Sequence, residues 1–235
     1  MNIRKEFLVI ILIALFTQSC FTSADNSGEK IKDETILRDT VSKNSPKKVI
    51  LFFGNSITAA YGLESADAFT TLMQTRLDSL YGSYEVINAG VSGETTASGK
   101  NRVKWVIEKQ PVDIFVLELG ANDGLRGLPV KETKANLESI IDQVREKHPG
   151  VLIILAGMMI PPSMGPEYSK SFQKIFPDVA KNKDALLIPF VLENVAGIDS
   201  LNLPDGIHPN AAGEKIVLEN IWAVLKDHVG SGSDK

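Results

Sequence analysis

The chain has 235 residues, of which 43% are hydrophobic and 23% are charged, and its formal net charge is −4 at pH 7. This composition is typical of one globular domain with a substantial core, and it excludes a largely disordered chain. The small negative charge and the lack of a basic stripe argue against a nucleic-acid partner.

Residues 1–20 resemble an export signal. Arg4 and Lys5 precede an apolar run over 7–16, which is about half the length of a membrane-spanning helix. The only cysteine, Cys20, follows this run at the position of the lipidated cysteine in a bacterial lipoprotein signal. Cleavage nearby without lipidation is the alternative. We therefore expect an exported protein, periplasmic or anchored to the outer membrane through lipid on Cys20.

Polar segments flank the predicted domain on both sides. Residues 21–47 are rich in serine, aspartate, lysine and threonine and have too little apolar character for a core element. We expect a flexible tether there. A polar tail is expected over 230–235, so that 48–229 forms the single predicted domain.

From position 48 onward, short apolar runs alternate with segments of helical periodicity. The apolar runs predict strands at 49–53, 84–88, 113–119, 151–155 and 185–188. The periodic segments predict helices that include 66–80, 103–108, 131–147, 168–181 and 210–228. This alternation predicts an α/β protein: a five-stranded parallel sheet in a three-layer α/β/α sandwich of the doubly wound, flavodoxin-like type.

Small polar residues follow several of the predicted strands, at the sheet edge where open α/β folds bind ligands. Ser56 comes after Gly54 and Asn55, where we expect the first strand to turn into a helix. The next loops contain Asn88-Ala89-Gly90 and Gly120-Ala121-Asn122-Asp123. Near the C-terminus, Asp205 precedes His208 by three residues.

These residue types together suggest nucleophilic catalysis. A serine hydroxyl is a weak nucleophile until a neutral imidazole accepts its proton, and a carboxylate must orient that imidazole. Ser56, His208 and Asp205 provide this set. The N–H groups of Ser56 and Gly90 and the Asn122 amide are candidate donors to an oxyanion. The alternative interpretation is that Ser56 only caps a helix and has no catalytic role.

Neither a cofactor nor a metal is predicted. The segment GETTASGK over 93–100 resembles a phosphate-binding loop. It has one residue too many between its glycines, and Asn101 stands where a magnesium-binding serine or threonine belongs. Histidine, cysteine and carboxylate residues show no metal-ligand spacing. The other two histidines, His148 and His228, lie near predicted helix ends and are expected at the surface.

Four motifs in order resemble the four sequence blocks of the SGNH, or GDSL-type, hydrolase superfamily. They are Gly54–Ile57, Asn88–Gly90, Gly120–Asp123 and Asp205–His208. The strings LGANDGLRGLP and DGIHPN resemble its arylesterase, acyl-CoA thioesterase and lysophospholipase branch.

The resemblance implies a role for each of these motifs. Ser56 would be the nucleophile, with Asp205 and His208 completing the triad, and Gly90 and Asn122 would serve the oxyanion hole with Ser56. The sequence departs from the family pattern at Asn55, where the family usually has an aspartate. This departure removes a charge beside the nucleophile.

We expect a serine esterase that cleaves acyl or aryl esters, such as lysophospholipids, through an acyl-enzyme intermediate. The apolar loop 157–164 is expected to contact the acyl chain, and the resemblance implies that Ile160 and Pro161 border the substrate. Leu125 and Leu128 are expected on the opposite side. A carbohydrate O-deacetylase of the same fold and a non-catalytic binding lipoprotein are the alternatives.

Overall fold

The computed structural model describes residues 46–230. The predicted signal, Cys20 and nearly all of the predicted tether and tail lie outside the described residues. Within residues 46–230, no helix combines the length and the apolar character needed to cross a membrane.

Five parallel strands in the described range form one sheet, in the order β2-β1-β3-β4-β5. The strands are Lys48–Gly54 (β1), Tyr84–Gly90 (β2), Ile114–Glu118 (β3), Leu152–Ala156 (β4) and Leu186–Ile188 (β5). This is the flavodoxin-like order, in which the winding direction reverses between β1 and β3. The predicted α/β class and parallel sheet are confirmed.

Two groups of helices cover the sheet. The α-helices are Phe69–Leu80 (α1), Thr96–Ile107 (α2), Ala121–Leu125 (α3), Val130–Lys147 (α4), Pro166–Gln173 (α5), Ile175–Asn182 (α6) and Ala211–Leu225 (α7). Helices α1 and α7 pack against each other, and α4 packs against both α2 and α6. The sheet therefore lies between two helical layers, as the alternating pattern predicts.

The central strand β1 is buried on both faces. Its residues 50–53 are completely inaccessible to solvent, which explains their unbroken apolar run. Helix α4 buries one stripe, formed by Leu137, Ile140, Ile141 and Val144. This spacing brings the four side chains onto one helix face, so the periodicity in the sequence reflects the core directly.

The predicted single helix over 168–181 is wrong in one respect, because the structure divides it into α5 and α6 at Lys174. Pro177 lies in the first turn of α6. It has no N–H to donate to the carbonyl of Gln173, so one continuous helix would lose a hydrogen bond at this point.

Candidate active site

Ser56 lies two residues after β1, in an irregular turn. The N–H of Ala59 donates to the Asn55 carbonyl at 3.0 Å, and that of Tyr61 donates to the Ser56 carbonyl at 3.0 Å. Ala60 has a φ of 50°, in the left-handed region, which prevents a helix from continuing. The expected helix directly after Ser56 is therefore wrong, and α1 begins only at Phe69.

Ser56, His208 and Asp205 form a continuous series of hydrogen bonds. His208 Nε2 lies 2.8 Å from Ser56 Oγ, and His208 Nδ1 lies 2.7 Å from Asp205 Oδ2. An ionised carboxylate can only accept hydrogen bonds, so Nδ1 is the donor to Asp205 and Nε2 carries the lone pair that faces the serine hydroxyl. The three predicted residues thus meet, although 152 positions separate Ser56 from His208.

The loop between Asp205 and His208 holds the carboxylate in place. Asp205 Oδ1 accepts hydrogen bonds from the main-chain N–H groups of Ile207 and His208, at 3.0 and 3.1 Å. The hydrogen bond from the His208 side chain is the main cause that lowers the pKa of Asp205, and the Ile207 N–H adds to it. Asp205 therefore stays ionised at neutral pH and fixes the imidazole tautomer.

Three residues that line the cleft, Ser56, Gly93 and Asn122, have an N–H group that is not used in a hydrogen bond within residues 46–230. The Asn122 side chain, in the first turn of α3, donates one amide hydrogen to the Glu94 carbonyl at 3.0 Å. Its second amide hydrogen is not used within residues 46–230. In the same range, the main-chain N–H groups of Ser56 and Gly93 also donate no hydrogen bond. All three residues line one cleft, so their unused N–H groups are candidate donors to an oxyanion there.

Gly90 does not contribute to this site. Its N–H donates to Asn88 Oδ1 at 2.9 Å, and Gly90 is not among the residues that line the cleft. A side chain at this position would lie 2.3 Å from the main-chain nitrogen of Ala59. Gly90 therefore allows β2 to pack closely against the Ser56 turn. The expectation that its N–H is an oxyanion donor is wrong, whereas Gly93, with a φ of 80°, lines the cleft and has an N–H that donates no hydrogen bond within residues 46–230.

Asn55, where the family pattern has aspartate, is fully buried and contacts Glu118 at the end of β3. Its Nδ2 donates to Glu118 Oε1 at 2.9 Å, while its Oδ1 accepts the Ile57 N–H at 3.0 Å. The main chain of Asn55 and both the main chain and hydroxyl of Thr58 also donate to this carboxylate. Burial nevertheless raises the pKa of Glu118 to about 7, against the effect of these donors.

A cleft of about 630 Å³ opens beside the serine. Its walls are mainly apolar and include Tyr61, Leu125, Met158, Met159, Ile160, Pro161, Phe190, Leu192 and Ile207. Three of the four predicted substrate-contacting residues are therefore in the wall. The prediction for Leu128 is wrong: it does not line the cleft, and its carbonyl accepts the Tyr168 hydroxyl at 2.7 Å.

Tyr61 is a cleft residue that the sequence analysis did not identify. Its ring lies 4.7 Å from the imidazole ring of His208, centroid to centroid, and about half of its surface is exposed. A single aromatic residue in a turn carries no sequence pattern of its own. Only the fold of the chain brings it against the histidine.

No group of three histidine, cysteine or carboxylate side chains in residues 46–230 is arranged to hold a metal ion. A doubly wound parallel sheet with hydrogen-bonded serine, histidine and aspartate side chains at the carboxyl edge defines the class: α/β proteins with a serine hydrolase type of site.

Within this class, residues 52–216 match the model of the GDSL-like Lipase/Acylhydrolase family, and the chain belongs to that family. It is 36% identical over 186 residues to the esterase TesA of Pseudomonas aeruginosa, a match that covers 79% of this chain and 92% of the relative. Thioesterase 1/protease 1/lysophospholipase L1 of Escherichia coli K12 is 29% identical over 170 residues, which cover 72% and 79% of the two chains.

Solved structures agree with this assignment. The chain matches a crystal structure of TesA with a TM-score of 0.74 and 37% identity, over 77% of this chain and 100% of that one. The predicted membership of the GDSL-type hydrolases is confirmed, and with it the expectation of an enzyme that acts on ester bonds.

Proposed function

We propose that this protein is a serine esterase that hydrolyses carboxylic esters through an acyl-enzyme intermediate on Ser56. The observation that carries the proposal is the series Ser56–His208–Asp205, with distances of 2.8 and 2.7 Å, beside an apolar cleft. This geometry lets the imidazole accept the hydroxyl proton while the carboxylate stabilises the resulting imidazolium.

In the first half of the reaction, Ser56 Oγ forms a bond to the ester carbonyl carbon as its proton moves to His208 Nε2. The carbonyl electron pair moves onto oxygen, where the N–H groups of Ser56 and Gly93 and the Asn122 amide stabilise the negative charge. When this intermediate collapses, the bond to the alcohol oxygen breaks and the alcohol leaves with the proton from His208.

In the second half, a water molecule replaces the alcohol. His208 accepts a proton from the water as the oxygen attacks the acyl carbon of the acyl-serine. The second tetrahedral intermediate releases the carboxylic acid and returns the proton to Ser56 Oγ. Atoms and charges balance without a cofactor.

The apolar cleft supports esters with an acyl chain of several carbons as substrates. Met159, Ile160 and Leu125 provide apolar surface next to Ser56, and methionine adapts to chains of different shape. The names of the relatives, an esterase and a lysophospholipase, agree with acyl esters such as lysophospholipids.

A fluorophosphonate probe tests the nucleophile. The wild-type protein should be labelled at Ser56 and should hydrolyse p-nitrophenyl butyrate, whereas Ser56→Ala should lose both properties while keeping its melting temperature. Labelling that persists in Ser56→Ala would reject the assignment. Strict preference for acetyl esters would instead favour a carbohydrate O-deacetylase, and a folded wild type without turnover would favour a binding protein.

We also propose that the protein is exported and that lipid on Cys20 anchors it to a membrane. The proposal rests on the sequence, in which Cys20 follows the apolar run over 7–16 after three intervening residues. In an exporting bacterial host, the wild type should sediment with membranes, and Cys20→Ala should be soluble or unprocessed. If the wild-type protein is fully soluble, the lipid anchor is rejected and only the proposal of export remains.

A further inference from the structure

We propose that Arg102 is a positioning residue for the oxyanion site, which it holds in place through Glu94. The inference rests on the proposed function and deepens it. It concerns the loop between β2 and α2, residues 91–95, which carries the Gly93 N–H. Gly93 occupies the left-handed region and lines the cleft, so its N–H points usefully only while this loop keeps one conformation.

Glu94 joins the two proposed donors that lie outside the Ser56 turn. Its carbonyl accepts the Asn122 amide at 3.0 Å, and this hydrogen bond sets which amide hydrogen is left for the cleft. Its main-chain nitrogen forms the peptide bond with the carbonyl carbon of Gly93, the preceding residue. A displacement of Glu94 would therefore move the Gly93 N–H and release Asn122 together.

The Glu94 side chain is fixed by Arg102 of α2. Arg102 Nε and Nη2 donate to the two carboxylate oxygens of Glu94 at 2.7 and 2.5 Å. The side chain of Glu94 is 3% exposed and that of Arg102 is 20% exposed. A carboxylate with so little access to water needs a charged partner, so this pair restrains Glu94 more firmly than a surface ion pair would.

Arg102 in turn is held by two parts of the sheet. Its Nη2 also donates to the Ala89 carbonyl near the end of β2, at 2.9 Å. Its guanidinium lies 4.0 Å from the ring centroid of Phe53, a fully buried residue of β1. The planar guanidinium serves the carboxylate, the carbonyl and the aromatic face at once, which a lysine ammonium cannot do.

Arg76 offers a matched comparison within the same chain. It forms a two-point ion pair with Glu219 and lies 5.3 Å from the ring of Trp222, so its chemistry resembles that of Arg102. Neither Arg76 nor Glu219 lines the cleft, and the Glu219 side chain is 58% exposed. Substitution of Arg76 therefore tests the loss of an arginine–carboxylate pair without disturbing the oxyanion site.

The experiment compares Arg102→Lys with Arg76→Lys, using kcat and KM for p-nitrophenyl butyrate at a temperature where both variants are folded. We expect Arg102→Lys to lower kcat by about 10–100-fold with KM changed by less than about 3-fold, because donors displaced by a fraction of an ångström lose transition-state stabilisation. Arg76→Lys should keep the wild-type kcat. An unchanged kcat in a folded Arg102→Lys variant would overturn the proposal.

A transition-state analogue separates positioning from general loosening of the fold. An alkyl trifluoromethyl ketone forms a tetrahedral oxyanion on the serine, so its inhibition constant should rise in Arg102→Lys by the same factor by which kcat/KM falls. The affinity for a linear alkanol of the same chain length, which carries no charge, should stay within about 3-fold of the wild-type value. Equal weakening of analogue and alkanol would show that the substitution damages the cleft in general and would overturn the proposal.

Should Arg102→Lys fail to fold, the double variant Glu94→Leu/Arg102→Met provides the test, because removing both charges avoids an unpaired buried carboxylate. A folded double variant with wild-type kcat would overturn the proposal, and one with reduced kcat would support it. Failure of the proposed esterase itself would appear separately, as a wild type without turnover or labelling of Ser56.

Discussion

Asn55 Nδ2 donates a hydrogen bond to Glu118 Oε1 at 2.9 Å, next to the turn that carries Ser56. Both side chains are almost completely buried. An ionised aspartate at position 55 would have no hydrogen to donate, and it would face Glu118 as a second negative charge. The asparagine thus avoids a second ionisable group beside Glu118.

Asn55→Asp should therefore destabilise the protein in a pH-dependent way. Two buried carboxyl groups in contact cannot both ionise, so the folded-state pKa of at least one is raised above its unfolded value. Stability from the protonated group is present at low pH and is lost as the pH rises. We expect the melting temperature to fall relative to the wild type at about pH 8, with a smaller difference at about pH 5.

Asn182→Asp is the control for this substitution. Asn182 also donates to a glutamate, Glu138 at 3.0 Å, but at an exposed site where water screens the two charges. Its melting temperature should stay near the wild-type value at both pH values. An Asn55→Asp variant with the same loss at both pH values would contradict the explanation.

Glu214, a second buried acid, should destabilise the protein at alkaline pH. Its Oε2 accepts the Phe69 N–H at 2.7 Å, and its buried Oε1 has no hydrogen-bond partner within residues 46–230. Burial raises the pKa of Glu214 from 4.5 to about 7, and the charge of Glu118 adds to this effect. Because the folded-state pKa is raised, stability declines as the pH increases between these values.

Glu214→Gln keeps an acceptor for Phe69 and removes the titration. At about pH 8 it should be more stable than the wild type by up to roughly 3 kcal/mol, and at about pH 4.5 the difference should be small. Urea unfolding at the two pH values measures both. Glu219→Gln serves as the control. The Arg76 hydrogen bond lowers the pKa of Glu219, so this substitution should reduce the stability at about pH 8 instead of raising it. Equal effects of Glu214→Gln at both pH values would count against the prediction.

Asp205→Asn should reduce turnover far more than stability. The asparagine Oδ1 can still accept the N–H groups of Ile207 and His208, but its amide presents a donor to His208 Nδ1 and favours the wrong imidazole tautomer. We expect kcat to fall by about 10⁴-fold, the effect of the same substitution in an established Ser-His-Asp triad. The melting temperature should change little, because the side chain is 37% exposed. A kcat within about 10-fold of the wild-type value would show that Asp205 does not orient the histidine.

Met159 tests the acyl-binding role of the cleft. It is 43% exposed, whereas Ile160 is 7% exposed, so a polar residue at 159 disturbs the core less. Met159→Ser should lower kcat/KM for an octanoyl ester by about 4–15-fold, the equivalent of one or two buried methylene groups, and should spare the acetyl ester. Leu80→Ser, at an exposed position outside the cleft, should change neither substrate. Equal losses for the acetyl and octanoyl esters would contradict the prediction.

The sequence by itself determined the class of fold and the three hydrogen-bonded residues of the site. Alternating apolar runs and helical stripes depend on local periodicity, so they predict β1 to β5 and the main helices directly. Asp205 and His208 lie in one short loop, and Ser56 follows a strand whose buried character is visible in its composition. Their meeting follows from one rule, that parallel strands bring their carboxyl ends to the same edge.

Only the tertiary structure decided which groups complete the site. Gly90 and Gly93 belong to the same stretch of chain, yet the Gly90 N–H donates to Asn88 Oδ1 whereas the Gly93 N–H donates no hydrogen bond within residues 46–230. Asn55 meets Glu118 from 63 positions away. Such partners depend on strand order and on side-chain packing between distant segments, and neither is encoded in the local periodicity of the chain.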